Sequence, residues 1–171
     1  MIELKILAAL SENNVIGDNG RTPWYQPDDL RRFELLTQGH PVIVGRKKLE
    51  AMWMRYCGRL PTNREYIVLS KTRDGLGSGL DIARDFREAV EMAELSGDRL
   101  RTNLAYVLGG ERVYRSALAS PATIAMELTH VKGAYCGDAY FPLVDWSEWT
   151  EVNREFFDRP DYSLAAYRRA A

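Results

Sequence analysis

The sequence predicts an α/β fold: a mixed, mostly parallel central β-sheet with an antiparallel C-terminal edge and helices on both faces. Three observations predict it. Through the first two-thirds of the chain, short apolar runs closed by glycine or polar clusters alternate with helical patterns. The last third keeps the strand-like runs and joins them by loops without helices. Strand–helix alternation implies parallel pairing, and strands joined by loops alone imply antiparallel pairing. Finally, the 171 residues contain no repeat, low-complexity tract or linker, so 1–171 reads as a single domain with a substantial core.

The elements follow in order. Residues 4–10 form a near-continuous apolar run, as in a strand buried on both faces. Residues 12–22 read as a polar loop containing Gly17 and Gly20. Pro27 suits the first position of a helix that runs to about Thr37, with Gly39 as its stop. Pro41-Val42-Ile43-Val44 is a second buried strand, ended by Gly45, and a helix runs from Arg46 to about Tyr56. Tyr66-Ile67-Val68-Leu69-Ser70 is the third strand, followed by a turn over 75–79. Asp85-Phe86-Arg87-Glu88 resembles a capping box, and Phe86, Ala89, Val90 and Ala93 then line one helical face. Ala105-Tyr106-Val107-Leu108 is a strand closed by Gly109-Gly110, and residues 111–118 are a short helix. Residues 125–131, 149–156 and 163–168 read as the antiparallel edge strands.

Composition narrows the partners. Hydrophobic residues make up 46% and charged residues 27%, an ordinary soluble mixture, and the net charge of −1 gives no global attraction to nucleic acid or anionic membrane. No apolar run is long enough to cross a bilayer, and Met1-Ile2-Glu3-Leu4-Lys5 lacks the build of a signal peptide. A cytoplasmic protein is expected. Cys57 and Cys136, far apart, read as free thiols, and with His40 and His130 also isolated no metal site is expected.

Three strand-to-helix junctions carry unusual residues, and ligands of open α/β sheets bind beyond the carboxyl ends of the strands. At the first, Asp28 and Asp29 open a helix. Complementing the helix dipole explains both. Asp29, however, shares a helix face with Leu30 and Phe33, which would set a carboxylate against an apolar wall, whereas Asp28, about 100° round, faces solvent. At the second, Gly45-Arg46-Lys47-Lys48 puts three cations where the dipole prefers acids. A solvated charge run is the plain reading; phosphate is the alternative. Ser70-Lys71-Thr72-Arg73 follows the next strand as a second cluster of donors and cations, and two such clusters favour a phosphorylated nucleotide. At the third, Gly109-Gly110 permits close backbone approach, without forming a GxGxxG fingerprint.

Taken in order, these segments resemble the dihydrofolate reductase family. The matching pieces are Ala8-Ala9-Leu10, Val15-Ile16-Gly17, Pro23-Trp24, Asp29-Leu30, Phe33, Pro41-Val42-Ile43-Val44-Gly45-Arg46, Leu60-Pro61, Arg64 and Leu69-Ser70. Gly109-Gly110, Val113-Tyr114, Leu128-Thr129-His130, Gly137-Asp138 and Phe141-Pro142 complete the set. The resemblance implies a dihydrofolate reductase-like domain in which NADPH donates hydride to C6 of dihydrofolate and N5 gains a proton, supporting one-carbon metabolism. The catalytic set it implies is Asp29, Thr129, Trp24 and Tyr114. Asp29 would hold the 2-amino group and N3 of the pterin, with Thr129 supporting it through its hydroxyl or a water. Burial would raise the Asp29 pKa.

Leu7, Ala8, Leu30, Phe33, Leu60 and Leu108 would wall the substrate, and Arg64 would grip the α-carboxylate of its glutamate tail. On the cofactor side, Ala9, Ile16, Gly17, Thr22 and Tyr114 would border the nicotinamide. Gly109-Gly110 would be a cis bond beside the pyrophosphate, and Gly45, Lys47, Lys48, Glu111, Arg112 and Val113 would also belong to the cofactor site. Arg46, Leu69, Ser70 and Lys71 would hold the adenosine end and its 2′-phosphate. The 14–24 loop would close over the nicotinamide. The resemblance further implies antifolate binding and a monomer.

The chain departs from the family pattern at several positions. Thr22 stands where a bulky apolar residue usually precedes Pro-Trp, and Lys48 replaces a threonine, either pairing with the pyrophosphate or splaying outward. Leu49-Glu50-Ala51 replaces an aromatic-Glu-Ser run, and 52–64 is longer than the compact bacterial pattern. A related pteridine or riboflavin-pathway reductase and a non-catalytic protein on the same fold are the competing readings.

Overall fold

The longest apolar run becomes a central strand of an eight-stranded sheet. A computed structural model describes residues 1–73, 75–156 and 161–170. In it β1 (Glu3–Ser11) is flanked by β6 (Leu104–Val107) and β7 (Thr123–Val131), both parallel to it. Outward from β6 lie β3 (Pro41–Gly45), β4 (Glu65–Leu69) and β5 (Asp81–Ala83), again parallel. Outward from β7 lie β10 (Tyr162–Arg169) and β9 (Trp149–Phe156), giving the order β5-β4-β3-β6-β1-β7-β10-β9. A separate two-stranded ribbon joins β2 (Val15–Gly17) to β8 (Ala139–Tyr140).

The mixed sheet with an antiparallel edge is as expected, with one correction. Residues 125–131 are not an antiparallel edge strand of the same kind as the others. They lie in β7, which pairs parallel with β1, because α4 (Glu111–Leu118) carries the chain back across the sheet before it. The reversed strand is β10, antiparallel to both β7 and β9. Two further differences are short elements: β2 lies inside the stretch read as loop, and β5 follows the 75–79 turn.

The two faces of β1 feed two apolar layers by the alternation of a strand. Leu4, Ile6 and Leu10 pack with Ala89 and Ala93 of α3 (Phe86–Leu100) and with Val113, Tyr114 and Ala117 of α4. Leu7 turns the other way and packs with Leu49 and Met52 of α2 (Arg46–Arg55), joined by Phe33 and Leu36 of α1 (Pro27–Thr37). So α1 and α2 share one face, and the carboxyl ends of β1, β3 and β6 open beside them.

The helix starts differ in a way that bears on function. At α3, Asp85 Oδ1 accepts from the Glu88 N–H at 2.9 Å, and the Glu88 carboxylate accepts from the Arg84 N–H at 2.7 Å, satisfying two orphan donors. By contrast, α2 begins on Gly45 and α4 on Gly110, neither with a side-chain cap. In the first turn of α2 there is no acid, only Arg46, Lys47 and Lys48.

Candidate active site

Pro27 starts α1 and puts Asp28 and Asp29 in its first turn. Asp28 is exposed and accepts from the Tyr162 hydroxyl at 3.3 Å, so its outward position includes a tether to β10. Asp29 is partly buried and turned toward β7, where the Thr129 hydroxyl donates to its Oδ1. Thr129 is only 2% exposed. Burial pushes the Asp29 carboxyl above its usual range, while the Thr129 hydrogen bond and then the Arg32, Lys48 and Arg55 cations pull it back. The Thr129 hydroxyl thus holds this carboxylate directly.

Several of the residues expected to wall the substrate share one apolar cluster. Leu7 is buried, and Phe33 and Leu60 pack partly buried in the same cluster as Met52, with buried Leu108 at its inner end. Leu30 is partly exposed beside Asp29. Arg64 sits at the far end of α1. Its Nη1 donates to Thr37 Oγ1, its Nε donates to the Thr62 carbonyl at 3.0 Å, and its guanidinium carbon lies 5.9 Å from the Phe33 ring centre. That anchoring places a cation just beyond the phenylalanine, despite the longer 52–64 segment.

A second group of predicted residues meets where β3 ends. The Gly45 N–H donates to the Gly109 carbonyl at 2.6 Å. A Cβ on Gly45 would lie 3.2 Å from Val113 Cγ2 and 3.4 Å from Gly109 O and Gly110 N, so a side chain there would crowd Val113 and stand in contact with the Gly109-Gly110 backbone. The Gly109-Gly110 bond is cis, as the resemblance implied. Tyr114, 4% exposed, reaches under this corner, its hydroxyl 2.7 Å from the Leu7 carbonyl and 2.9 Å from the Leu108 carbonyl. Burial pushes its phenol far up, and the Asp29 charge adds to that. Tyr114 therefore stays neutral and ties the ends of β1 and β6 together. Tyr114→Phe is expected to cost about 1–2 kcal/mol, read as a lower Tm, because the single hydroxyl proton shared between the two carbonyls is lost.

The residues expected at the adenosine end form a third group. Arg46 Nε donates to Glu50 Oε1 at 2.8 Å and its Nη1 to Thr72 Oγ1 at 3.0 Å. Ser70 Oγ donates to the Thr72 carbonyl at 2.7 Å, which folds 70–72 back toward Arg46. Lys71 and Lys47 are exposed and Leu69 is half-buried. Thr72 lay in the cluster read from sequence but was not counted as a site residue; the Ser-x-Thr spacing was its signal.

Several predicted residues stand apart from the cleft or take another part in it. Glu111 is engaged, its carboxylate accepting from Arg115 at 2.9 Å and from the Tyr140 N–H at 3.3 Å, while Arg112 is exposed and Val113 is buried in the core. Trp24 is buried with Val15, Val131 and Tyr162, its ring edge-on to Tyr135 at 5.1 Å, with Ala9 against that cluster. Ala8 and Ile16 pack against the other apolar layer, Thr22 is half-buried, and Gly17 ends β2 with its carbonyl accepting from the Asp138 N–H at 3.1 Å. Lys48 is drawn inward rather than splayed into solvent. It is half-buried, and burial together with Arg55 drives its pKa down to about 8, with Asp29 opposing.

Sequence reasoning missed one cluster entirely. The Arg32 guanidinium donates to Glu127 Oε2, and Lys5 Nζ donates to Glu127 Oε1 at 2.9 Å. Its signal was a charged residue inside each of two apolar strands, Lys5 and Glu127, at positions the pattern reserves for core.

Fold and site together define an α/β enzyme whose candidate site lies at the carboxyl ends of β1, β3 and β6, with the partly buried Asp29 carboxylate beside them on α1. The chain belongs to the dihydrofolate reductase family, whose sequence profile, described as "Dihydrofolate reductase", matches residues 3–169. It is 36% identical over 169 residues to dihydrofolate reductase HdrB of Haloferax volcanii, covering 98% of this chain and 84% of that one. It is 31% identical over 154 residues to the dihydrofolate reductase of Neisseria meningitidis serogroup A, covering 90% and 88%. Among solved structures it resembles the Enterococcus faecalis dihydrofolate reductase complexed with NADP(H) and RAB-propyl. The TM-score is 0.79 at 27% identity, over 99% of this chain and 97% of that one.

Proposed function

We propose that this enzyme reduces 7,8-dihydrofolate to 5,6,7,8-tetrahydrofolate with NADPH, and that Asp29 is its pterin-holding carboxylate. The observation that carries the assignment is Asp29 itself, bound by the buried Thr129 hydroxyl and raised in pKa by its burial. NADPH, when bound, supplies the hydride for C6. The residues present suit it: a Gly45–Gly109–Gly110 corner open to a pyrophosphate, uncapped N–H groups and three cations at the start of α2, and Arg46 beside Thr72 and Ser70 for a 2′-phosphate.

Asp29 accepts from the pterin 2-amino group and N3, fixing which face of the ring meets the nicotinamide site. Its negative charge favours protonation of the bound pterin, and a water delivers the proton to N5. Leu7, Leu30, Phe33, Leu60 and Leu108 exclude other water from the ring. Trp24 and the 14–24 loop close the nicotinamide side, with Ala9, Ile16, Gly17 and Thr22 along it. Arg64 receives the α-carboxylate of the glutamate tail as a planar fork. The enzyme works as a cytoplasmic monomer in one-carbon metabolism and thymidylate and purine synthesis, and antifolates compete for the same cleft.

Dihydrofolate-dependent loss of NADPH absorbance tests the reading, and a purified, folded protein with no turnover refutes it. Cofactor choice tests the phosphate assignment. NADPH is expected to bind about 10–100-fold more tightly than NADH, because charge-assisted bonds to a phosphate are worth about 1.5–3 kcal/mol each. Arg46→Ala should remove most of that preference. Equal dissociation constants for the two dinucleotides, measured by fluorescence titration, would remove Arg46, Ser70 and Lys71 from this role.

A further inference from the structure

The Lys5–Glu127–Arg32 cluster lies beside the proposed pterin site without belonging to it. Its side chains are largely withdrawn from water: Glu127 is 12% exposed, Lys5 24% and Arg32 32%. Both Glu127 oxygens are engaged, one by each cation. Two cations on one anion leave a net positive charge in a half-buried place. Such a group is weak evidence for stability, because desolvation offsets the attraction. Its position offers a different explanation.

Arg32 follows Asp29 by three residues on α1, the spacing at which an aspartate and an arginine ordinarily pair. They do not form that pair here. Arg32 reaches across to Glu127 on β7, and Asp29 takes the Thr129 hydroxyl. Glu127 and Thr129 are two residues apart on β7 and so present to the same side of the sheet. One strand therefore sorts the two α1 side chains, an acid for the cation and a hydroxyl for the carboxylate. Lys5 on β1 holds Glu127 from the other side.

We propose that Glu127 is a positioning residue: by holding Arg32 it keeps the nearest cation off Asp29 and leaves the carboxylate open to the pterin. The proposal rests on Asp29 being the pterin-holding group. An arginine fork closed on Asp29 would occupy the oxygens that must receive the 2-amino group and N3. It would also hold the carboxylate ionised to lower pH. The other groups that bear on Asp29 are Thr129 from β7, Lys48 and Arg55 from α2, Tyr114 from α4, Tyr162 from β10, and Asp28 beside it on α1.

Steady-state kinetics across pH on Glu127→Gln, Arg32→Gln and the double variant test this. Glu127→Gln is expected to raise KM for dihydrofolate about tenfold. It should also move the acid limb of its kcat/KM profile down by about one pH unit, as a cation brought from its neighbourhood into direct contact does. Its NADPH dissociation constant should not change. Arg32→Gln alone should stay within about twofold of wild type, and adding it to Glu127→Gln should restore both KM and the acid limb. A lost structural brace would show the reverse, with the double variant as impaired as the single or worse. That result overturns the proposal, as does an unaltered KM in Glu127→Gln or a tenfold rise in Arg32→Gln alone. Should Glu127→Gln fail to fold, Glu127→Asp draws the charge back by one methylene. It should raise KM in the same sense and be rescued by Arg32→Gln, and a wild-type KM there overturns the proposal equally. An Asp29→Asn enzyme with wild-type KM and pH profile removes Asp29 from the site instead, an outcome that reads separately from Glu127.

Discussion

Asp29→Asn is expected to lower kcat/KM for dihydrofolate at neutral pH by about 100-fold or more while raising the Tm of the same protein. The activity loss follows from geometry. Asparagine keeps the shape but replaces one acceptor oxygen with a donor, so it meets the 2-amino group or N3 donor to donor. It also removes the charge that favours protonation of the pterin. The stability gain follows from the direction of the pKa. Burial holds Asp29 above its ordinary value of 3.8, so the folded protein keeps this proton to a higher pH than the unfolded chain does. Between those two pKa values the folded state binds more protons, and stability therefore falls as pH rises through that window. Above it the cost of the buried carboxylate remains. The asparagine variant lacks that decline. Thermal unfolding from acidic to neutral pH should show wild type losing ground to the variant. If the variant is less stable at neutral pH, Asp29 is not a desolvated carboxylate held for function. Exchange of stability for activity is common at such positions.

Gly109→Ala is expected to be the most damaging small substitution in the cleft. Gly109 has φ +91°, a conformation that side chains avoid. A Cβ there would stand 2.6 Å from Tyr114 Cζ and 2.9 Å from its hydroxyl, and nearer still to Cε2. The tyrosine ring cannot step aside, since it is buried against Phe141 and tied to the Leu7 and Leu108 carbonyls. Overpacking and backbone conflict together cost about 3 kcal/mol, which lowers Tm by about 6–12 °C in a protein of this size. Gly77→Ala is the control, because a Cβ at Gly77 meets nothing within 4 Å and its φ is not positive. Calorimetry of the pair decides the point. A Gly109→Ala protein as stable as Gly77→Ala would mean that Tyr114 moves freely and does not lock the corner.

The parts of the fold written in local pattern were legible, and those written in tertiary contact were not. β1, β3, β4 and β6 were visible because strands buried on both faces are continuous apolar runs. β8 and β5 have two and three residues, too few for any period to appear. The direction of β7 depended on where α4 led the chain, not on its own residues. In the site, Asp29 and Thr129 are 100 residues apart, and family resemblance rather than spacing joined them. Lys48 shows the limit of that resemblance. The pattern flagged the lysine as unusual, but its inward turn is decided by the cleft around it. Arg32 and Glu127, 95 residues apart and outside the family pattern, had nothing to bring them together before the structure did.

The contrast among helix starts bears on how much of this protein a cell would hold. α3, remote from the cleft, carries its own Asp85 cap, whereas α2 and α4 begin on bare glycines at the phosphate-suited corner. A bound dinucleotide would supply those missing acceptors and so act as a piece of secondary structure as well as a reactant. Ligand bound only to the folded state adds stability by mass action, about 2.7 kcal/mol at a hundredfold excess over its dissociation constant. Abundance of the folded protein would then follow the supply of reduced dinucleotide, through slower proteolysis of the occupied form. Inhibitors that share the cleft would protect the protein from degradation while silencing it.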